Sequence, residues 1–139
     1  MPSPTDAATT PTGSRRLAAA GALLAGLAVA VGAFGAHALE ARVPPDLLAT
    51  FETGARYHLT QSLGVLALAL AAERWQRPAL GTAGWLVVAG TLVFSGSLYL
   101  LVLTGVRTLG AVTPVGGVLL IAGWLTAAVS LFRGAPPQE

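Results

Sequence analysis

The sequence predicts an all-α fold, a four-helix transmembrane bundle with a short interfacial helix between spans one and two. Of the 139 residues, 54% are hydrophobic and only 10% are charged, and the mean hydropathy is +0.70. Soluble domains usually carry about 25% charged residues, so this chain has too few charges to cover a water-facing surface. Four long apolar runs also follow one another along the chain, separated by one longer link and two short ones.

Composition excludes several other classes of protein. The length suits one domain. All eight cationic residues are arginines scattered along the chain, without a basic cluster interleaved with aromatic residues, which argues against nucleic-acid binding. The chain has no cysteine, and therefore no disulfide and no thiolate metal site.

Each apolar run is long enough to cross a bilayer. Residues 17–39 carry no formal charge and would extend about 34 Å at about 1.5 Å per residue, against a hydrocarbon core of about 30 Å. The other predicted spans are residues 54–72, 80–104 and 109–132. Because a lipid-exposed backbone must satisfy its own hydrogen bonds, all four are predicted to be helices.

The chain ends are predicted to be tails. Residues 1–16 are expected to form a disordered cytoplasmic tail, because the segment is rich in Pro, Thr, Ser and Ala without apolar periodicity. Residues 133–139 form the C-terminal tail. The first span also imitates an export signal, with paired arginines before it and a small-x-small pattern at its end. Its apolar core exceeds the roughly 7–15 residues of a signal peptide, so we expect no cleavage.

The first link has a helical pattern of its own. Pro45 suits the first position of a helix, Asp46 favours its N-terminal end, and apolar residues recur at helical spacing up to Ala55. We expect a short amphipathic helix in the interface that bends near Gly54 into the second span, with an irregular loop as the alternative. The links "ERWQRP" and "GVRT" are short, which makes consecutive helices antiparallel.

The arginines predict the orientation of the chain. With a cytoplasmic N-terminus, the inner side holds Arg15, Arg16, Arg74, Arg77 and Arg133, and the outer side holds Arg42, Arg56 and Arg107. The excess of positive charge on the inner side favours cytoplasmic N- and C-termini.

Polar side chains are predicted to gather near the outer end of the bundle. The stretch "FETGARYHLTQ" opens the second span, and the antiparallel third and fourth spans bring further polar residues to a similar level. This candidate polar layer comprises His37, Glu52, Arg56, His58, Gln61, Ser95, Ser97 and Thr113. We expect Glu52 and Arg56 to form an ion pair. We expect Gln61 and Ser97 to hydrogen-bond between helices, with roughly 0.6–2 kcal/mol per bond. A ligand or ion contact is the alternative, because polar residues within membranes are often functional.

The layer lacks the spacing of a metal or catalytic site. His37 and His58 lie on different spans, and no pair of histidine and carboxylate ligands shares a helix face. No serine lies on a recognisable nucleophile elbow. We therefore predict no metal, no cofactor and no catalytic residue. No span has a charge at its centre, which argues against active transport.

Small residues recur along three of the spans. They are Gly21, Ala25, Ala28, Gly32 and Ala36 in the first, Gly90 in the third, and Gly116, Gly117 and Gly123 in the fourth. Small faces let membrane helices approach closely. The pattern leaves open whether these faces close one bundle or join the chain to a second copy or another membrane protein. The lipid bilayer is the one partner that the sequence predicts directly.

Four blocks of the sequence resemble the YgdD-like family of small bacterial inner-membrane proteins, a domain-of-unknown-function family with small eukaryotic transmembrane relatives. The blocks are "GAFGAHALE", "FETGARYHLTQSLGVLAL", "FSGSLYLLVLTGV" and "LGAVTPVGGVLLIAGWL", in this order, and they cover about residues 20–132. The resemblance implies the bacterial inner membrane and four spans with both termini in the cytoplasm. The family pattern usually has a histidine where this chain has Gln61, so a hydrogen-bonding role is expected there rather than imidazole chemistry.

The predicted function is that of a small integral inner-membrane protein of unknown molecular function, a non-enzymatic structural or interaction protein. A small pore or transport component, active as an oligomer, is the alternative, and a membrane enzyme is the third class. A water-accessible cavity lined by His37, His58, Gln61 and Ser97 would favour transport. A histidine hydrogen-bonded to a carboxylate in a cleft would favour an enzyme.

Overall fold

A computed structural model describes residues 12–133, which form four long helices. The helices are α1 (Thr12–Phe34), α2 (Pro45–Trp75), α3 (Pro78–Thr104) and α4 (Thr113–Phe132). A π-helical turn, Gly35–Leu39, follows α1, and a 3-10 turn, Arg107–Ala111, precedes α4. The described residues contain no β-strand, so the predicted all-α class is confirmed.

Three helical segments are long and apolar enough to cross a membrane, by length and composition. They are Gly13–Leu39, Pro78–Thr104 and Arg107–Phe132, which correspond to the first, third and fourth predicted spans. The helix α2 is not among them. Its N-terminal half is more polar than the other three segments, because it contains charged residues together with His58 and Gln61.

The predicted interfacial helix is not a separate element. Residues 45–54 form the first turns of α2, which continues as one helix to Trp75. Gly54 lies inside this helix, and its lack of a side chain lets α3 approach α2 closely. A Cβ at this position would lie 2.9 Å from Cε1 of Tyr99. At Gly54 the continuous helix α2 therefore makes a close contact with α3.

The predicted tails fall mostly outside the described residues. Residues 1–11 and 134–139 are not described. The helix α1 begins at Thr12, so residues 12–16, which were predicted to belong to the N-terminal tail, are helical.

The central helix of the bundle is α3. It packs along α2 on one side and α4 on the other, while α1 lies against α2 and also touches α3. The main apolar core includes Val65, Leu80 and Val87, all fully buried. A smaller apolar cluster, which includes Phe51 and Val102, lies at the end where α1 leads into α2.

Glycines allow the backbones of α3 and α4 to approach closely. A Cβ on Gly116 would lie 2.7 Å from Cα of Phe94, and one on Gly90 would lie 2.8 Å from the backbone nitrogen of Leu120. By contrast, Gly32 on α1 has no atom within 4 Å of the corresponding position. Several of the small residues predicted to form helix contacts therefore do so within one chain, whereas Gly32 faces open space.

Candidate functional site

The predicted polar layer divides into three groups in the structure. His58, Ser95 and Ser97 are buried, Gln61 and Thr113 are half-buried, and His37, Glu52 and Arg56 are exposed. The layer is therefore not one continuous site. His58 and Ser95 make bonds between α2 and α3, whereas Ser97 bonds the start of α4.

His58 lies between α2 and α3. Its Nδ1 atom is 3.2 Å from the hydroxyl oxygen of Tyr99, and the two rings are 6.0 Å apart. Its Nε2 atom is buried and makes no hydrogen bond of normal geometry to a described residue, although the backbone of Leu24 in α1 lies near the ring. The imidazole is thus bound to an aromatic hydroxyl, and not to a carboxylate as an acid–base pair would require.

Two buried serines add polar contacts next to His58. The hydroxyl of Ser95 donates to the carbonyl oxygen of Gly54 at 2.8 Å, which joins α3 to the backbone of α2. The hydroxyl of Ser62 donates to the carbonyl oxygen of His58 at 2.6 Å within α2. These residues lie between the main core and the smaller apolar cluster, so the α2–α3 interface alternates apolar and polar layers. Ser62 was not singled out from the sequence, because a lone serine in an apolar helix gives no distinct pattern.

Ser97 joins α3 to the start of α4. Its Oγ lies 2.8 Å from Oγ1 of Thr113, and it donates to the carbonyl oxygen of Phe94 at 2.9 Å. A hydroxyl has one proton to donate, so Thr113 is the donor to Ser97. The predicted hydrogen bond of Ser97 between helices is confirmed.

Gln61 joins α2 to α4 through a residue that sequence reasoning missed. Trp124 Nε1 donates to Oε1 of Gln61 at 2.8 Å. The indole also covers Gly64, where a Cβ would lie 2.6 Å from the ring. The predicted hydrogen bond of Gln61 between helices is confirmed. The available signal was a tryptophan within an apolar run, since its N–H needs an acceptor when it leaves water.

The exposed members of the predicted layer do not pair. Glu52 and Arg56 form no ion pair in the described structure, so that prediction was wrong. Both side chains are exposed. An exposed pair at this spacing contributes only about 0.3–0.5 kcal/mol and must overcome side-chain entropy. His37 is also exposed, in the π-helical turn after α1.

At the opposite end of the bundle, Arg77 makes a contact that the sequence did not predict. Its guanidinium donates to the carbonyl oxygen of Ser130 and lies 3.5 Å from that of Leu131. Carbonyl groups in the last turn of a helix lack partners within the helix, and a cation near them is favourable. Arg77 thereby joins the α2–α3 turn to the end of α4.

Within the described part of the chain, the cavities coincide only partly with the predicted polar layer. No group of three His, Asp or Glu residues there could hold a metal ion. A cavity of about 410 Å³ lies between α2 and α4, and a hollow of about 320 Å³ lies beside it. Gln61 lines both of them, whereas His37, His58 and Ser97 line neither. The four residues expected to line a water-accessible path therefore do not share either cavity.

The bond between Gln61 and Trp124 gives a direct test. We expect Gln61→Leu to lower stability in detergent by about 1–2 kcal/mol, because the indole N–H then lacks its acceptor. Gln61→Asn keeps an amide and should cost less. The measurement is thermal unfolding followed by circular dichroism.

A double-mutant cycle provides the control. Trp124→Phe keeps most of the ring and removes the N–H donor, so combining it with Gln61→Leu should cost less than the sum of the single changes. Strictly additive costs, or equal melting of the Leu and Asn variants, would contradict the assigned bond.

Comparison with known proteins places the chain among membrane proteins of unknown function. Residues 31–117 match the family described as "Protein of unknown function (DUF423)". The chain is 45% identical over 114 residues to the UPF0382 membrane protein YwdK of Bacillus subtilis (strain 168), covering 81% of this chain and 93% of the relative. It is 42% identical over 113 residues to the UPF0382 membrane protein SSP2132 of Staphylococcus saprophyticus, again covering 81% and 93%. No solved structure matches the chain.

These comparisons support the coarser part of the resemblance drawn from the sequence, a family of membrane proteins of unknown function. They do not test the YgdD-like family name. The names of the two relatives state no reaction, ligand or partner.

Proposed function

Because the chain belongs to the DUF423 family, whose relatives are membrane proteins of unknown function, we propose that it is a non-enzymatic structural or interaction protein of the bacterial inner membrane. The observation that carries this proposal is the use of the polar side chains. Ser95, Ser97 and Gln61 each bind another helix. Hydrogen bonds between helices of this kind hold a membrane bundle together, which supports a structural role for these side chains.

The proposal includes α2 as the second of four spans, with both termini in the cytoplasm. The helix has 31 residues, and a link of two residues connects it to α3. Its C-terminal half is apolar, and Leu63 and Leu70 are 55% and 66% exposed, as expected for side chains that face lipid. Its polar residues His58 and Gln61 bind α3 and α4 instead.

A small pore or transport component is the second candidate. The cavity and the hollow beside α2, both lined by Gln61, favour it. Of the other predicted polar residues only Arg56 lines the hollow, and none lines the cavity, so a polar path across the membrane would require residues from a second copy of the chain.

Single-cysteine labelling tests the four-span arrangement. The chain has no cysteine, so Ala41→Cys, Glu73→Cys and Thr108→Cys each introduce one reactive thiol at an exposed position. In spheroplasts, a membrane-impermeant maleimide should label Ala41→Cys and Thr108→Cys. Glu73→Cys should react only after the membrane is permeabilised. The unsubstituted protein gives the background.

Labelling of Ala41→Cys and Glu73→Cys from the same side would show that α2 does not cross. Labelling of Glu73→Cys alone in spheroplasts would show the reverse orientation.

Photo-crosslinking in native membranes tests the interaction role. A photoreactive amino acid at Val118, which is 65% exposed on α4, should give one discrete protein adduct if this face contacts a partner or a second copy. The matched position Val65 is fully buried and should give none. Adducts with lipid alone from Val118, and likewise from other exposed positions on α1 and α2, would contradict the interaction role.

A further inference from the structure

The bundle has an open groove between α2 and α4. Phe94 of α3 forms its floor, and Ile121 and Leu125 of α4 form an apolar wall. The volume of the groove is about 410 Å³. Ile121 and Leu125 are each 61% exposed, so the groove opens sideways, toward the lipid in a membrane. Its mostly apolar lining suits a hydrocarbon chain.

One end of the groove is closed by Trp124. The indole reaches from α4 to α2, where it donates to Gln61 and covers Gly64. From this contact the groove extends toward the N-terminal half of α2, past Tyr57. A chain lying in the groove would therefore have its end next to the indole.

The other end of the groove carries a positive charge. The hollow of about 320 Å³ shares Tyr57 and Gln61 with the groove and is also lined by Arg56 and Thr60. Arg56 is exposed and forms no ion pair with any residue from 12 to 133. Glu52, one helical turn away, is exposed and does not line the hollow. The guanidinium is thus available at the mouth of an apolar groove.

From this combination, we propose that the α2–α4 groove binds one acyl chain of an anionic phospholipid, with the lipid headgroup at Arg56. A guanidinium matches phosphate oxygens in charge and geometry, and the apolar walls match the chain. A water-soluble phosphate would gain nothing from those walls, and a zwitterionic lipid lacks the net charge. The inference goes beyond the proposed function but rests on its placement of α2 across the membrane.

Quenching of Trp124 by brominated lipids tests this site. The chain has three tryptophans, so Trp75→Phe together with Trp85→Phe leaves Trp124 as the reporter. The protein is placed in vesicles of phosphatidylcholine in which either phosphatidylcholine or phosphatidylglycerol carries brominated chains, at equal mole fraction. We expect phosphatidylglycerol to be preferred at Trp124 about fivefold, the effect of one arginine near a lipid surface.

Charge variants show whether Arg56 is responsible. Arg56→Gln should bring the preference close to onefold, and Arg56→Lys should keep most of it. Arg107→Gln, which removes another exposed arginine, should leave it unchanged. The melting temperature of each variant confirms that it is folded.

Several outcomes would overturn the proposal. These are an equal affinity for the two lipids, a preference that survives Arg56→Gln, or a preference that falls equally with Arg107→Gln. If both lipids quench weakly, and quenching becomes stronger as the protein is diluted in lipid, a second copy of the chain fills the groove. Dilution separates the copies and lets lipid reach Trp124. A failure of the four-span arrangement would instead appear in the cysteine labelling, so the two failures are distinguishable.

Discussion

Replacing Phe51 with alanine is expected to destabilise the protein by about 3–5 kcal/mol, the usual cost of truncating a buried phenylalanine. Phe51 is only 2% exposed. Its ring lies 5.1 Å from that of Tyr99 on α3 and 6.3 Å from that of Phe34 on α1. It also fills the space above Gly35, where a Cβ would lie 2.5 Å from Cε1 of the ring. Its loss removes contacts to two other helices together.

Thermal unfolding in detergent, followed by circular dichroism, measures this effect. Phe51→Leu keeps most of the volume and should cost less than about 1.5 kcal/mol. The control is Phe132→Ala, since Phe132 is 91% exposed at the end of α4, and its replacement should change stability by no more than about 0.5 kcal/mol. Similar losses at Phe51 and Phe132 would show that the packing around Phe51 contributes little.

Gly116→Ala is expected to give the second large effect, a loss of about 2–3 kcal/mol. The added Cβ would meet the backbone of Phe94, 2.7 Å from its Cα and closer still to its nitrogen. A flexible side chain could move away, but a helix backbone cannot do so without separating α3 from α4. Overpacking of this kind usually costs about 1–3 kcal/mol. The melting temperature should fall by roughly 5–10 °C.

The neighbouring residue supplies a matched control. A Cβ on Gly117 would lie 4.0 Å from the nearest atom, Cδ2 of Phe94, which is an ordinary contact. Alanine is also favoured over glycine inside a helix by about 0.5–1 kcal/mol. Gly117→Ala should therefore be neutral or slightly stabilising. If Gly116→Ala and Gly117→Ala melt alike, the close approach of α3 and α4 is not the determinant of stability.

The fold class could be predicted because it depends on local composition. Apolar runs of spanning length gave three of the helices, and residues 80–104 agree with Pro78–Thr104 to within two residues at the N-terminus. The predicted span 109–132 lies within the apolar helical segment Arg107–Phe132, in which a 3-10 turn, residues 107–111, precedes α4. The sequence did not predict that residues 45–54 belong to the same helix as the second span. Gly54 was interpreted as a bend, whereas it allows close packing against Tyr99, a residue remote in sequence.

The candidate site was predictable only in part, for a geometric reason. The sequence indicated that Gln61 and Ser97 would hydrogen-bond between helices, since an unsatisfied polar group in lipid is costly. Their partners, Trp124 and Thr113, depend on the rotation and depth of each helix. The same rotation leaves Arg56 on the surface, where no ion pair forms with Glu52.

The central position of α3 has a consequence for biogenesis. Within α2, His58 and the carbonyl oxygen of Gly54 find their partners on α3, at Tyr99 and Ser95. Until α3 has been synthesised, these groups would meet lipid or the translocon without those partners. The two-residue link between the helices would let them enter the bilayer as a hairpin if α2 is the second of four spans, as proposed. In the proposed four-span arrangement, insertion of α2 into the bilayer is therefore expected to depend on the arrival of α3.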